Sequence, residues 1–127
     1  MHKILIVDDQ ADIRRMMHIA LGEDFNLLEA EDGSTALDMV RQHKPDVVLL
    51  DVMMPGGLDG LQVLDQIRAD VRLKHTRVIL VSAKGQVSDY ELGMQRGANA
   101  YFVKPFSPLQ LLAAINDQLT QLKEQNE

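Results

Sequence analysis

Cysteine is absent from the 127 residues, so no disulfide framework holds this chain together, and its absence fits a cytoplasmic setting without saying more. Long apolar runs are missing too: none approaches the ~18 residues that a membrane span requires. The N-terminal stretch runs from a basic pair, His2 and Lys3, through a strand-like segment into Asp8 and Asp9, without the small-residue cleavage site of a signal peptide. Basic residues are outnumbered, 13 Lys and Arg against 19 Asp and Glu, and the formal charge of −6 repels nucleic-acid phosphates. The Lys and Arg residues are also scattered along the chain, which predicts no direct nucleic-acid binding by this chain. Internal repeats and low-complexity linkers are lacking. What is present, 46% apolar and 25% charged residues, is the composition of one ordinary globular domain.

Four short runs rich in β-branched residues, Ile4 to Val7, Val47 to Leu50, Val78 to Val81 and Tyr101 to Val103, read as strands buried on both faces. Phe25 to Ala30 is a weaker fifth. Between them the spacing turns helical. Ile13, Met16, Met17, Ala20 and Leu21 fall on one helical face, and Leu111, Ile115, Leu119 and Leu122 repeat the pattern near the C-terminus. Weaker periodic stretches cover about 34–43, 61–71 and 87–96, punctuated by Gly33, Gly60 and Gly97. The last helix has the clearest start: Ser107 as cap, Pro108 at the first helical position and Gln110 completing a capping box. One domain over 1–122 and a polar tail or linker start over 123–127 follow from this division.

Strict strand–helix alternation implies parallel strands joined by right-handed crossovers, with helices on both faces of one sheet. Such doubly wound α/β folds bind ligands outside the carboxyl ends of their strands. The unusual polar residues all sit at those ends: Asp8 and Asp9, Asp51, Ser82 and Lys104. Each alone has a plainer reading as a turn opener, a local hydrogen-bonding hydroxyl or a solvated charge. Together they put matching chemistry at the ends of four separate strands. Three converging carboxylates repel one another, which raises at least one pKa unless a cation intervenes. All-oxygen ligands with room for water and phosphate suit Mg²⁺, with Mn²⁺ an acceptable substitute. Phosphoryl transfer then needs mainly positioning and charge neutralisation, with Asp51 as nucleophile and Lys104 offsetting charge on the phosphoryl oxygens.

The segments ILIVDDQ, VVLLDVMMP, VILVSAKG and GANAYFVKPF, and the closing helix, closely resemble the receiver domains of two-component response regulators over essentially the whole chain. The resemblance implies a flavodoxin-like (βα)5 fold with strand order 2-1-3-4-5. It makes Asp51 the phosphoacceptor, Asp8 and Asp9 the metal acids, and gives the backbone carbonyl of Met53 to the metal. It also assigns Ser82, Ala83 and Lys104 to the phosphoryl group, Ser82 and Tyr101 to the conformational switch, and a cis bond to the peptide before Pro105. Met53 and Lys84 would flank the path of attacking water; neither can accept a proton from it, so slow self-dephosphorylation is expected. The implied donors are a sensor histidine kinase, a phosphotransfer protein or a small phosphodonor. The implied output partner docks on the face around the fourth helix, fifth strand and last helix. Ser107 to Leu122 contains no Lys or Arg, so a dimer salt-bridged through that face is not expected.

Two departures stand out. Gly56 and Gly57 make the loop after Asp51 one residue longer than usual, leaving the backbone path near Pro55 open, and Ser82 stands where Thr is commoner. A haloacid-dehalogenase-type enzyme would need an Asp two residues after the nucleophile, where this chain has Met53. A nucleotide or flavin binder would want a Gly-rich loop after the first strand, where Asp8-Asp9-Gln10-Ala11 stands. A degenerate docking scaffold would lack an acid or the lysine, and all are present. The expectation is therefore a switch that catalyses only its own phosphoryl transfer. The four His residues read as surface and the seven Met residues as core filler.

Overall fold

The computed structural model describes residues 1–54 and 56–125. Five strands, β1 (Lys3–Val7), β2 (Asn26–Ala30), β3 (Val47–Asp51), β4 (Arg77–Ser82) and β5 (Ala100–Val103), alternate with helices α1 (Ala11–Leu21), α2 (Gly33–His43), α3 (Gly60–Ala69), α4 (Val87–Gln95) and α5 (Pro108–Gln125). All strand pairs are parallel, in the order β2-β1-β3-β4-β5. That is the order implied by the resemblance.

Because neighbouring side chains in a strand point to opposite faces, each central apolar run feeds two cores. Leu5, Val7, Val48, Leu50, Val78 and Leu80 pack with Leu37 and Val40 of α2 and Leu64 and Ile67 of α3. Ile4, Ile6, Val47, Leu49, Ile79 and Val81 pack with Met17 and Leu21 of α1 and Leu111, Ile115 and Leu119 of α5. The helix caps are local chemistry. Asp32 accepts from the Thr35 N–H at the start of α2, and Asp59 and Gln62 exchange side-chain-to-backbone bonds at 2.9 Å each at the start of α3. At α5 the Gln110 N–H donates to Ser107 Oγ at 3.3 Å, but the reciprocal bond is missing among the described residues, so only half of the expected capping box forms.

Three further expectations need correction. β5 is not buried on both faces: it pairs only with β4, forms an edge of the sheet, and leaves Val103 42% exposed. Met16 lies off the buried stripe of α1 because it sits about 100° around the helix from Met17, which faces the sheet. Core filling holds for Met17 and Met54 but fails for Met1, Met16 and Met53, which are exposed; among the His residues His43 is half-buried. Helix α5 continues through the first residues of the expected polar tail to Gln125, and residues 126 and 127 lie outside the described residues.

Candidate functional site

The sheet order sets the site. β1 and β3 are neighbours with Val7 opposite Leu50, so Asp8, just past β1, and Asp51, the last residue of β3, stand side by side. Asp8 is fully buried, Asp51 is 4% exposed and Asp9 is open to solvent. One carboxylate oxygen from each lies within 4.8 Å of the others. Ser82 ends β4 and is fully buried, and its carbonyl accepts the Lys104 N–H at 2.8 Å. From there the Lys104 ammonium reaches back to donate to Asp8 Oδ2 at 2.8 Å and to Asp51 Oδ2 at 3.3 Å. The cis bond implied before Pro105 is present between Lys104 and Pro105.

Both buried acids are held at both oxygens. Asp8 Oδ1 accepts the Gln10 N–H at 2.9 Å, and Asp51 Oδ1 accepts the Met53 N–H at 3.2 Å. Burial pushes the Asp51 carboxyl above the ordinary carboxylate range, the charge of Asp8 adds to that, and Lys104 and the Met53 N–H only partly offset it. Burial works against the charge of Lys104, but its bond to Asp8 and the attraction of Asp51 outweigh it and raise its pKa. This donor set fits a hard divalent cation: three carboxylates converge, one of them solvent-open, with a single lysine to balance them.

The remaining expected residues lie one step out. Ser82 Oγ accepts the Lys84 N–H at 3.0 Å, and the Tyr101 hydroxyl donates to the Lys84 carbonyl at 2.8 Å. Ala83 is exposed between Ser82 and Lys84. The Tyr101 ring meets Tyr90 edge-on at 6.1 Å. Met53 is 54% exposed beside Asp51. In the lengthened loop Gly56 takes φ +98°, a conformation glycine adopts freely, and Pro55, where the sequence leaves the path open, lies outside the described residues.

Two positioning residues went unread in the sequence. The Arg14 guanidinium donates to the Asp8 carbonyl at 2.8 Å and pairs with Glu29 at 3.1 Å, bracing the loop after β1. Nothing in one sequence separates it from the solvated Arg15 beside it. Gly60 packs the start of α3 onto the end of β3 so closely that a Cβ there would lie 2.1 Å from the Asp51 carbonyl oxygen. Its signal was the Asp-Gly step before a helical pattern, which reads only as a helix start.

The profile of the response regulator receiver domain matches residues 4–116. The DNA-binding response regulator MtrA of Mycolicibacterium paratuberculosis is 40% identical over 118 residues, covering 92% of this chain and 51% of that protein. The response regulator GtcR of Aneurinibacillus migulanus is 39% identical over 125 residues, covering 98% of this chain and 50% of that protein. This chain thus spans about half the length of the curated relatives it matches. Among solved structures, a Francisella response regulator receiver domain superposes with a TM-score of 0.88 at 29% identity, covering 95% of this chain and 98% of that one. The matched stretch begins inside β1, ends inside α5 and contains every member of the strand-end cluster; the chain belongs to the response regulator receiver domain family.

Proposed function

We propose that this receiver domain takes a phosphoryl group onto Asp51 from a histidine kinase, a phosphotransfer protein or a small phosphodonor. The observation that carries this reading is the convergence of Asp8, Asp9 and Asp51 within 4.8 Å, with the Lys104 ammonium bonded to both buried acids. An Asp51 oxygen forms the new bond to phosphorus as the donor's bond breaks. Asp8, Asp9, Asp51 and the Met53 carbonyl would hold Mg²⁺ or Mn²⁺, which when bound supplies positive charge against the carboxylates and the phosphoryl oxygens. Lys104, the Ser82 hydroxyl and the Ala83 N–H are the donors for those oxygens. Incubation with acetyl phosphate and Mg²⁺ followed by intact mass measurement tests the reading: one added phosphoryl mass per chain is expected, and none once the metal is chelated.

Metal binding should be visible without any phosphodonor. Mg²⁺ at about ten times its dissociation constant adds about 1.4 kcal/mol to stability, or about 5 °C in Tm for a chain of this size. Asp9→Ala removes one solvent-open ligand and should shrink that shift; a melting temperature indifferent to Mg²⁺ in the wild type counts against the site.

The signal would leave through the chain of bonds from Ser82 Oγ to the Lys84 N–H and from the Lys84 carbonyl to the Tyr101 hydroxyl. A phosphoryl oxygen that accepts the Ser82 O–H would draw Oγ toward it and away from the Lys84 N–H, which biases Tyr101 through the Lys84 carbonyl. The surface around α4, β5 and α5, with Tyr90, Leu92, Val103 and Leu109 exposed, is the proposed contact for an output domain or protein. That output could act on DNA, as the name of MtrA says of that protein, whereas the acidic charge of this chain opposes contact of its own with nucleic acid. No described helix is long and apolar enough to cross a membrane, and a cytoplasmic location is proposed.

Phosphoryl lifetime depends on aligning water for in-line attack. Met53 and Lys84 line the cleft beside the acceptor, and neither accepts a proton. Slow loss is expected, and Met53→Asn with Lys84→Glu should speed it by about tenfold, below the range of a fully positioned general base. Phosphoryl loss followed by mass after donor removal checks this; an unchanged or slower rate refutes the role of the two positions.

A further inference from the structure

The two acids that follow β1 are held in different ways. Asp8 is fixed through every polar group it carries: its N–H donates to the Ala30 carbonyl at 3.2 Å, its Oδ1 accepts the Gln10 N–H at 2.9 Å, and its Oδ2 accepts from Lys104 at 2.8 Å. Its carbonyl accepts from the Arg14 guanidinium at 2.8 Å. Asp9 is exposed, so its place depends on the backbone that carries it, and the Asp8 carbonyl belongs to that backbone. A peptide unit is planar, so the bond that holds this carbonyl also sets the Asp9 N–H and the point from which the Asp9 side chain starts. The Arg14 side chain is itself held, its Nε donating to Glu29 Oε1 of β2 at 3.1 Å, while the other Glu29 oxygen lies 3.4 Å from His18 Nδ1. The guanidinium fork thus spans β2 and the loop after β1, which the point charge of a lysine would not do.

We infer that Arg14 is a positioning residue for the divalent cation, and Glu29 its support: together they set the metal affinity of the Asp8, Asp9 and Asp51 cluster by fixing the Asp8–Asp9 peptide. The inference rests on the reading of that cluster as a Mg²⁺ or Mn²⁺ site. Charge alone predicts the opposite sign. A cation beside three carboxylates competes with a metal, so deleting Arg14 would tighten metal binding if charge were all that it brought. Glu29 offsets that charge at 3.1 Å, which leaves the bond to the Asp8 carbonyl as the contribution of the pair. Hydrogen-bond partners that orient metal ligands carry about tenfold or more in affinity. Loss of Arg14 therefore weakens binding. Its neighbour Arg15 has the same charge at an exposed position of α1, which separates the two accounts.

Mn²⁺ titration of the unphosphorylated protein, with the free ion counted by its electron paramagnetic resonance signal, reads the affinity without any phosphodonor. Arg14→Gln should bind Mn²⁺ about tenfold more weakly than the wild type, whereas Arg15→Gln should match the wild type or bind slightly more tightly. Glu29→Gln leaves Arg14 charged and less firmly held, so it should weaken binding by a smaller factor. Adding it to Arg14→Gln should change little further, because Glu29 acts through Arg14. In phosphoryl uptake from acetyl phosphate, Arg14→Gln should raise the Mg²⁺ concentration at half-maximal rate while the rate at saturating Mg²⁺ returns close to that of the wild type. General loss of structure would not give that split. Equal or tighter Mn²⁺ binding by Arg14→Gln, with its melt showing a folded protein, overturns the inference and leaves the metal site standing. If Arg14→Gln melts below the assay temperature, Glu29→Gln, changed at an exposed position, decides: unaltered affinity there overturns the inference. Failure of the wild type to bind Mn²⁺ overturns the metal reading, and this inference with it.

Discussion

Asp51→Asn is expected to take up no phosphoryl group from acetyl phosphate and Mg²⁺ under conditions where the wild type takes up one. An amide of the same shape keeps the hydrogen-bond acceptor for the Met53 N–H but offers no anionic oxygen to attack phosphorus. The variant should remain folded, because it removes one of two buried negative charges and leaves Lys104 bonded to Asp8. The sign of the pH effect follows from the raised carboxyl pKa of Asp51. A carboxyl whose pKa is higher folded than unfolded favours the folded state below that range and loses this contribution as pH rises through it. Without metal, the wild type should therefore lose stability relative to Asp51→Asn between the acidic range and neutrality, and paired melts across pH check the direction. If Asp51→Asn still gains a phosphoryl mass to the wild-type extent, the acceptor is another acid.

The alternation of apolar runs and helical periods made the fold class legible, because each run is long enough for one strand and each period for one crossover. Strand order was not legible in that pattern; it depends on which edges pair, and only likeness to a family supplied it. Tyr101 to Val103 read as buried on both faces, since an apolar run does not reveal how fully helices cover it at the edge of a sheet. The site was readable where a charged residue follows an apolar run, as at Asp8, Asp51 and Lys104. Residues that act through tertiary neighbours left no such trace. Arg14 matters because the Asp8 carbonyl happens to lie within its reach, and Gly60 because the acceptor strand runs beneath it.

Gly60→Ala is expected to be the most damaging single-methyl change near the site. The added Cβ would lie 2.1 Å from the Asp51 carbonyl oxygen, 2.7 Å from Val52 Cα and 2.9 Å from the Asp51 carbonyl carbon. All three are backbone atoms of the acceptor strand and its exit, so no side chain can rotate away. The Gly60 N–H is itself bonded to the Val52 carbonyl at 3.0 Å, which ties the start of α3 to the same segment. Relief requires moving α3 or the end of β3, and overpacking of this kind costs about 3 kcal/mol, far more than the gain of about 1 kcal/mol or less from alanine's helix propensity. Melting should fall by about 10 °C for a chain of this size, and phosphoryl uptake should fall with it because the displaced group is the backbone of Asp51. Gly57→Ala is the control: a Cβ there meets nothing within 4 Å, so its melting temperature should match the wild type or exceed it slightly. Equal melting of Gly60→Ala and Gly57→Ala would mean that α3 does not rest on the acceptor strand at this distance, and that Asp51 is positioned by Lys104 and the Met53 N–H without it.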